Sequence, residues 1–147
     1  MITIAKLIFL SILPISELRG AIIYSKIIGM DPLLSFFIAT LANIAIVPFI
    51  FFFLDYLHHF FLRARFYKRI FYFQVRRTTK KIEKHIGTKW ELPALYLLVA
   101  IPLPFTGAYT GVLAAWIFKI KRKKALLAIV LGVITAGILL SSGLSLI

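Results

Sequence analysis

Two similar stretches decide the fold of this chain: LPISELRGA, from Leu13 to Ala21, and IPLPFTGAYTG, from Ile101 to Gly111. Each stretch places helix-breaking proline and a Gly-Ala pair inside sequence that is otherwise apolar. Hydrocarbon tolerates a broken backbone only where protein or a water-filled cavity surrounds it. Paired breaks in the two halves of one chain are typical of the binding site of a membrane transporter.

The composition is that of a membrane protein, because 61% of the 147 residues are hydrophobic. The chain has no cysteine, which excludes disulfides, thiol chemistry and cysteine-bound metal. It has five acidic residues in total, too few for the carboxylate cluster that a metal-dependent membrane enzyme needs. We therefore predict that the protein is not an enzyme and has no metal and no cofactor.

The net charge of +13 is concentrated in two clusters that flank apolar segments. Ten of the 18 basic residues lie within residues 63–89, and five more lie within residues 119–124. Cytoplasmic loops of membrane proteins accumulate Lys and Arg in this way, so both clusters are predicted to be cytoplasmic and no nucleic-acid partner is expected. Residues 55–91 interleave aromatic and basic side chains, which predicts an amphipathic helix at the membrane interface, bound to anionic lipid headgroups.

The remaining sequence divides into four apolar blocks. Residues 33–54 and 125–147 carry no charge, and each block is long enough to span about 30 Å of hydrocarbon. Residues 2–30 and 92–118 are the blocks that contain the breaks. If all four blocks crossed the membrane, the two basic clusters would lie on opposite sides, which the positive-inside rule disfavours.

Residues 92–118 are therefore predicted to enter and leave on the cytoplasmic side as a re-entrant hairpin, with arms about 15–18 Å long. The distribution of basic residues is compatible with two forms of the first broken block, a hairpin or a full span. The repeated order of elements favours the hairpin.

The predicted fold is an all-α integral membrane protein with two inverted repeats, residues 1–54 and 92–147. Each repeat is a re-entrant helical hairpin followed by one transmembrane helix. The basic amphipathic helix, residues 55–91, joins the repeats within a single membrane domain, residues 1–147.

The two stretches resemble those of the small multidrug export proteins, a distant branch of the DedA superfamily of membrane transporters and lipid scramblases. The resemblance covers essentially the whole chain in length and order of elements. It implies re-entrant loops and a membrane acid and arginine that matter for transport. The positions that it implicates are Glu17, Arg19, Pro102, Pro104, Thr106 and Gly107. DedA proteins proper carry an acidic residue and a further arginine elsewhere in the membrane, and the second stretch has neither.

Glu17 and Arg19 carry the charges of the first break. A charge in the middle of an apolar block costs at least ~2.5–3.5 kcal/mol on insertion scales, and such residues are functional by default. Glu17 is suited to load and release a proton, whereas Arg19 can hold either Glu17 or a substrate phosphate in its planar fork. The alternative is a structural Glu17–Arg19 pair that only fixes the loop. Ser16 is a further candidate for binding, and Asn43 either lines the pathway or bonds a neighbouring helix.

The second break is uncharged, and its residues are predicted to shape the backbone. Pro102 and Pro104 end the entering arm because they remove backbone donors. Thr106 is predicted to be the N-cap of the returning arm, whereas Gly107 and Gly111 permit close packing of helices. An ordinary kinked span is the alternative. Together, the positions with a predicted structural part are Pro14, Gly20, Pro102, Pro104, Gly107 and Gly111.

Three functions remain open at this point. The first is a small multidrug or small-molecule exporter, coupled to protons through Glu17. The second is a lipid flippase or scramblase that uses Arg19 on the headgroup phosphate, and the third is a non-transporting membrane assembly factor. Two spans and two hairpins are few for enclosing an aqueous path, so a homodimer or larger assembly is predicted, with Gly132 and Gly137 as close-packing points.

Overall fold

The computed structural model describes residues 1–102 and 106–145, and these residues contain helices and no β-strand. The all-α prediction is therefore confirmed for this part of the chain. A π-helical turn spans Phe53–Leu57, and a 3-10 turn spans Glu83–His85. The α-helices are α1 (Ile2–Ile12), α2 (Glu17–Ile27), α3 (Pro32–Phe52), α4 (His58–Phe61), α5 (Arg65–Ile82), α6 (Glu91–Ala100), α7 (Ala108–Ile117) and α8 (Arg122–Ser145).

Within the described residues, two helical stretches are long and apolar enough to cross a membrane: Pro32–Phe61, which includes α3 and α4, and Arg122–Gly143 of α8. Both reach a mean hydropathy of 2.4. The shorter stretch has 22 residues, which corresponds to about 33 Å of helix and matches the thickness of the hydrocarbon core. Large apolar side chains such as Phe37 and Leu127 are exposed on these helices. Lipid would cover such side chains in a membrane.

The first long stretch begins at a helix start signal and ends later than predicted. Asp31 is the N-cap, and its carboxylate accepts a backbone N–H of the first turn at 2.8 Å, while Pro32 takes the first helical position. The predicted span ended at residue 54 because a charge follows it. The helix instead continues to Phe61, since the Asp55 carboxylate pairs with the Arg122 guanidinium at 2.9 Å.

Four short helices form two contacting pairs, α1 with α2 and α6 with α7. Each helix has 10 or 11 residues, so each is about 15–17 Å long, or half of a bilayer core. The pair α1 and α2 packs on α3, whereas α6 packs on α8 and α7 packs on both long helices. The two long helices therefore form the frame on which both short pairs are held.

Glycines bring α8 close to its neighbours within one chain. A Cβ atom at Gly132 would lie 2.6 Å from Cβ of Val99, and one at Gly137 would lie 2.7 Å from the Phe36 ring. A Cβ atom at Gly111 of α7 would also overlap Val99. The expectation that Gly132 and Gly137 pack two copies together is therefore wrong, because helices of the same chain already occupy both positions.

The amphipathic helix of the linker is shorter than the predicted range of residues 55–91. It comprises α5, Arg65–Ile82, because the residues before it belong to the end of the preceding long stretch. One face of α5 packs on the protein: Tyr67 is hydrogen-bonded to His58 Nδ1 at 2.9 Å, and Phe71 stacks near the same imidazole with 4.1 Å between ring centres. The opposite face exposes aromatic and basic side chains, Phe66 among them.

Two helix ends, ninety positions apart, have the same backbone geometry. Ile28 after α2 and Phe118 after α7 both have φ −88° and ψ 4°. The next residue is left-handed in each case, Gly29 with φ 68° and Lys119 with φ 53°. Both turns close with a bond from the following N–H to a carbonyl five residues earlier, at 2.9 Å and 3.0 Å. This is the Schellman arrangement, in which glycine is the usual left-handed residue.

We expect Gly132→Ala to destabilise the protein, because the added methyl group would press on Val99 and on the carbonyl oxygen of Tyr96. Overpacking of this kind costs about 1–3 kcal/mol. Gly143→Ala is the matched control, since a Cβ atom there meets nothing within 4 Å. The midpoint of thermal unfolding in detergent checks both variants. Equal midpoints would contradict the close approach of α6 and α8.

Candidate functional site

The two breaks in the chain lie against each other, and polar side chains of one break bond the backbone of the other. The first break lies between α1 and α2, and the second lies between α6 and α7. Four helix ends therefore converge. Helix ends leave backbone N–H and C=O groups without partners inside the helix. Polar side chains can bond these groups where the four ends meet.

Glu17 caps the beginning of α7. Its side chain is buried, and its carboxylate accepts backbone N–H bonds from Tyr109, at 3.4 Å, and from Ala108. The beginning of a helix carries partial positive charge and favours an anion. Gly107 precedes α7 with φ 131°, and a Cβ atom at this position would overlap the Glu17 carboxylate. Glycine at residue 107 thus leaves the space that the Glu17 carboxylate occupies.

Glu17 itself has a left-handed backbone, with φ 45°. Such a conformation costs an L-residue about 1–2 kcal/mol. This backbone conformation directs the side chain of Glu17, the first residue of α2, toward the second break.

Arg19 binds the opposite end of the second break. Its Nη1 donates to the carbonyl oxygen of Pro102 at 3.3 Å, just beyond the end of α6. The end of a helix carries partial negative charge and favours a cation. No ion pair joins Glu17 to Arg19 within the part of the chain that the structure describes. The direct Glu17–Arg19 pair of the structural alternative is therefore not formed, because each side chain bonds a different part of the second break, but both contacts fix the two breaks against each other.

Tyr109 makes the reciprocal contact, and sequence reasoning missed it. Its hydroxyl donates to the carbonyl oxygen of Ile12, the last residue of α1. Arg19 and Tyr109 are ninety positions apart, and so are Ile12 and Pro102. Each break therefore sends one side chain to a backbone carbonyl of the other break: that of Ile12 ends α1, and that of Pro102 lies two residues beyond the end of α6. The signal for Tyr109 was present in the sequence, because the spacing of the two stretches aligns it with Arg19.

The carbonyls at the end of α1 receive further donors. The Ser16 hydroxyl donates to the carbonyl oxygen of Leu10, and Asn43 Nδ2 on α3 donates to that of Ser11 at 2.7 Å. Gly20 lies beside Ser16, since a Cβ atom at residue 20 would overlap the serine side chain. The broken end of α1 is thus bonded by side chains from three different elements.

Thr106 bridges the second break and does not cap the following helix. Its Oγ1 donates to the carbonyl oxygen of Ile101 at 2.8 Å, and the N-cap of α7 is Gly107. The N-cap prediction for Thr106 is therefore wrong. The physical reason is that the Glu17 carboxylate occupies the N–H groups that a threonine cap would bond. Pro104 lies outside the described residues, and Pro14 is exposed at the tip of the first break.

A small cavity of about 20 Å³ lies where the breaks meet. Four of the five predicted binding residues line it, Glu17, Arg19, Asn43 and Thr106, and so do Pro102 and Gly107. This volume is sufficient for about one water molecule. The site is therefore closed to a drug-sized molecule in this conformation. Among residues 1–102 and 106–145, no group of three or more His, Asp or Glu side chains is placed to hold a metal ion.

The sequence matches the family described as "Putative small multi-drug export protein" over residues 17–139. The matched range begins at Glu17 and includes the second break, the first long helical stretch and most of the second. No curated protein and no solved structure matches the chain. Because the match covers most of the 147 residues, and because the apolar helices agree with a membrane location, the chain belongs to this family of small multi-drug export proteins.

Proposed function

We propose that the protein is a multi-pass membrane exporter of small molecules, with its substrate path at the meeting of the two breaks. One observation carries the proposal: a buried carboxylate and an arginine of one break bind opposite half-helix ends of the other. Half-helix ends and membrane-embedded charges recur at the substrate and ion sites of transporters. Membership of a family named for multidrug export supports the same conclusion.

In the proposed membrane arrangement, both short helix pairs are re-entrant hairpins of inverted repeats. Three pairs of features, each separated by ninety positions, support the repeat: the matching helix ends, the carbonyls of Ile12 and Pro102, and the donors Arg19 and Tyr109. Helices of half a bilayer length support the hairpins. The first hairpin enters from outside and the second from the cytoplasm, so that both basic clusters are cytoplasmic.

Proton coupling in this proposal depends on the charge of Glu17. The ionised carboxylate is attracted to the beginning of α7 and holds the two breaks together. Protonation removes that charge, which weakens the attraction and allows the breaks to separate. The cavity then widens to admit a substrate, and loss of the proton closes it again. Gly107 assists because it adds no side chain between the carboxylate and the helix.

We also propose that the exporter acts as a homodimer or larger assembly. Two long helices and two half-length pairs are few for surrounding a water-filled path, and the cavity of one chain is small. A second copy would complete the walls. Cross-linking and mass measurement in lipid nanodiscs test this, and a monomer that exports substrate at the full rate would contradict it.

The membrane arrangement predicts which side of the membrane each reporter cysteine faces. The chain has no native cysteine, so single variants carry no background. In right-side-out vesicles, a membrane-impermeant maleimide should label Lys26→Cys and should leave Lys80→Cys and Lys123→Cys unlabelled until the vesicles are opened. All three residues are exposed. Labelling of Lys26→Cys and Lys80→Cys from the same side would overturn the inverted arrangement.

Glu17→Gln should abolish gradient-driven export while leaving the protein folded. Glutamine keeps the size of the side chain and an oxygen for the N–H of Tyr109, but it takes up no proton. We expect at least a tenfold loss of proton-gradient-driven flux of a fluorescent organic cation from proteoliposomes. Glu83→Gln is the matched control, because it removes an exposed carboxylate outside the breaks.

The same vesicles distinguish the lipid alternative. Gradient-independent exchange of a fluorescent phospholipid that is lost in Arg19→Gln would favour a scramblase over an exporter. Full gradient-driven flux in Glu17→Gln would end the proton-coupling proposal, and equal losses in Glu17→Gln and Glu83→Gln would do the same.

A further inference from the structure

A second and much larger cavity, of about 570 Å³, lies at the basic end of the molecule. It is bounded by the end of α3 and its π-helical turn, by α5, by the end of α7 and by the beginning of α8. It shares no lining residue with the small cavity between the breaks. Its volume lies within the range of ligand-binding pockets, about 300–1,000 Å³.

The walls of this cavity are aromatic and its edge is basic. Phe51, Phe71 and Trp116 contribute ring surface, and Lys119 and Arg122 contribute the cations. An amphiphile with an apolar part and an anionic head matches such a lining. A free inorganic anion would leave the rings without a partner.

Arg122 is held at the cavity by two contacts. Its guanidinium lies 4.7 Å from the centre of the Phe51 ring and 2.9 Å from the Asp55 carboxylate. The other oxygen of Asp55 accepts the indole N–H of Trp116 at 3.1 Å. About half of the Arg122 side chain, 53%, is exposed. The cavity thus has two cations and one carboxylate, which leaves it with net positive charge.

Lys119 occupies a position that usually takes glycine. It is left-handed at the end of α7, with φ 53°, and the corresponding turn after α2 has Gly29. Lysine is strained in this conformation, whereas glycine is not. Despite this strain, the position carries lysine, which adds a cation to the edge of the cavity. Lys121, Lys123 and Lys124 follow, so the local field attracts anions and repels organic cations.

We propose that this cavity binds an anionic phospholipid. Lys119 and Arg122 hold the headgroup phosphate, and the beginning of the acyl chains lies against the aromatic walls. Basic pockets between membrane helices on the cytoplasmic side are suited to such headgroups. The bound lipid would join α5 to α7 and α8. The site is separate from the breaks, so it does not depend on the proposed transport path.

The experiment measures lipid retained by the intact protein. The protein is exchanged into mixed micelles of phosphatidylglycerol and phosphatidylcholine, and native mass spectrometry counts the bound molecules of each. We expect phosphatidylglycerol to be retained selectively. The double variant Lys119→Gln/Arg122→Gln should lower its affinity about 25-fold, since a cation near a membrane surface contributes roughly fivefold. The control Lys123→Gln/Lys124→Gln removes the same charge outside the cavity and should change affinity far less.

Asp55→Asn provides a test in the opposite direction. Removing the carboxylate frees Arg122 from its ion pair, so retention of phosphatidylglycerol should rise severalfold. A purely structural role of the Asp55–Arg122 pair predicts a fall instead. Equal losses in the two double variants, lower retention in Asp55→Asn, or displacement of the lipid by millimolar inorganic phosphate would overturn the proposal.

Discussion

A broken backbone in hydrocarbon must find its hydrogen-bond partners inside the protein, and the rest of this structure depends on that constraint. At the end of α1 and at the beginning of α7, side chains supply the bonds. Asn43 bonds the end of α1 from a long helix, and Tyr109 bonds it from the other break. Glu17 bonds the beginning of α7. Each break is therefore stabilised in part by the other break.

The contacts between the breaks are reciprocal in position and unequal in chemistry. Residues 19 and 109 both bond a backbone carbonyl of the opposite break, but one is a charged arginine and the other a neutral tyrosine. Residues 17 and 107 are also ninety positions apart, and one is the carboxylate while the other is glycine. Two carboxylates at these positions would repel each other in a medium of low dielectric. The glycine removes that conflict and gives the single acid room.

The sequence predicted the breaks and the charged residues because prolines and membrane-embedded charges are rare and carry a clear physical cost. It did not predict the partners of these residues. Glu17 and Arg19 are two positions apart, which suggested that they pair, whereas the helix ends ninety residues away attract each of them separately. Thr106 was expected to cap α7 because hydroxyl caps are common. A cap supplied by a residue from the other half of the chain leaves no local pattern.

The length of the first long stretch was underestimated for a related reason. The sequence predicts that the span ends before Asp55, because a lone charge is costly in hydrocarbon. In the structure, Arg122 from the beginning of α8 neutralises Asp55. Gly132 and Gly137 were predicted to lie between copies because small residues in a membrane helix permit close approach. The sequence does not indicate which helix approaches them. In both cases the outcome depends on contacts between residues that are far apart in the sequence.

The two cavities divide the molecule into a closed polar centre and an open basic end. At the centre, the bonds between the breaks leave space for about one water molecule, so any substrate must separate groups that now bond each other. At the basic end, aromatic rings and cations surround a space that no side chain fills. The two regions are connected through α7, because its beginning is held by Glu17 and its end forms the wall that carries Trp116.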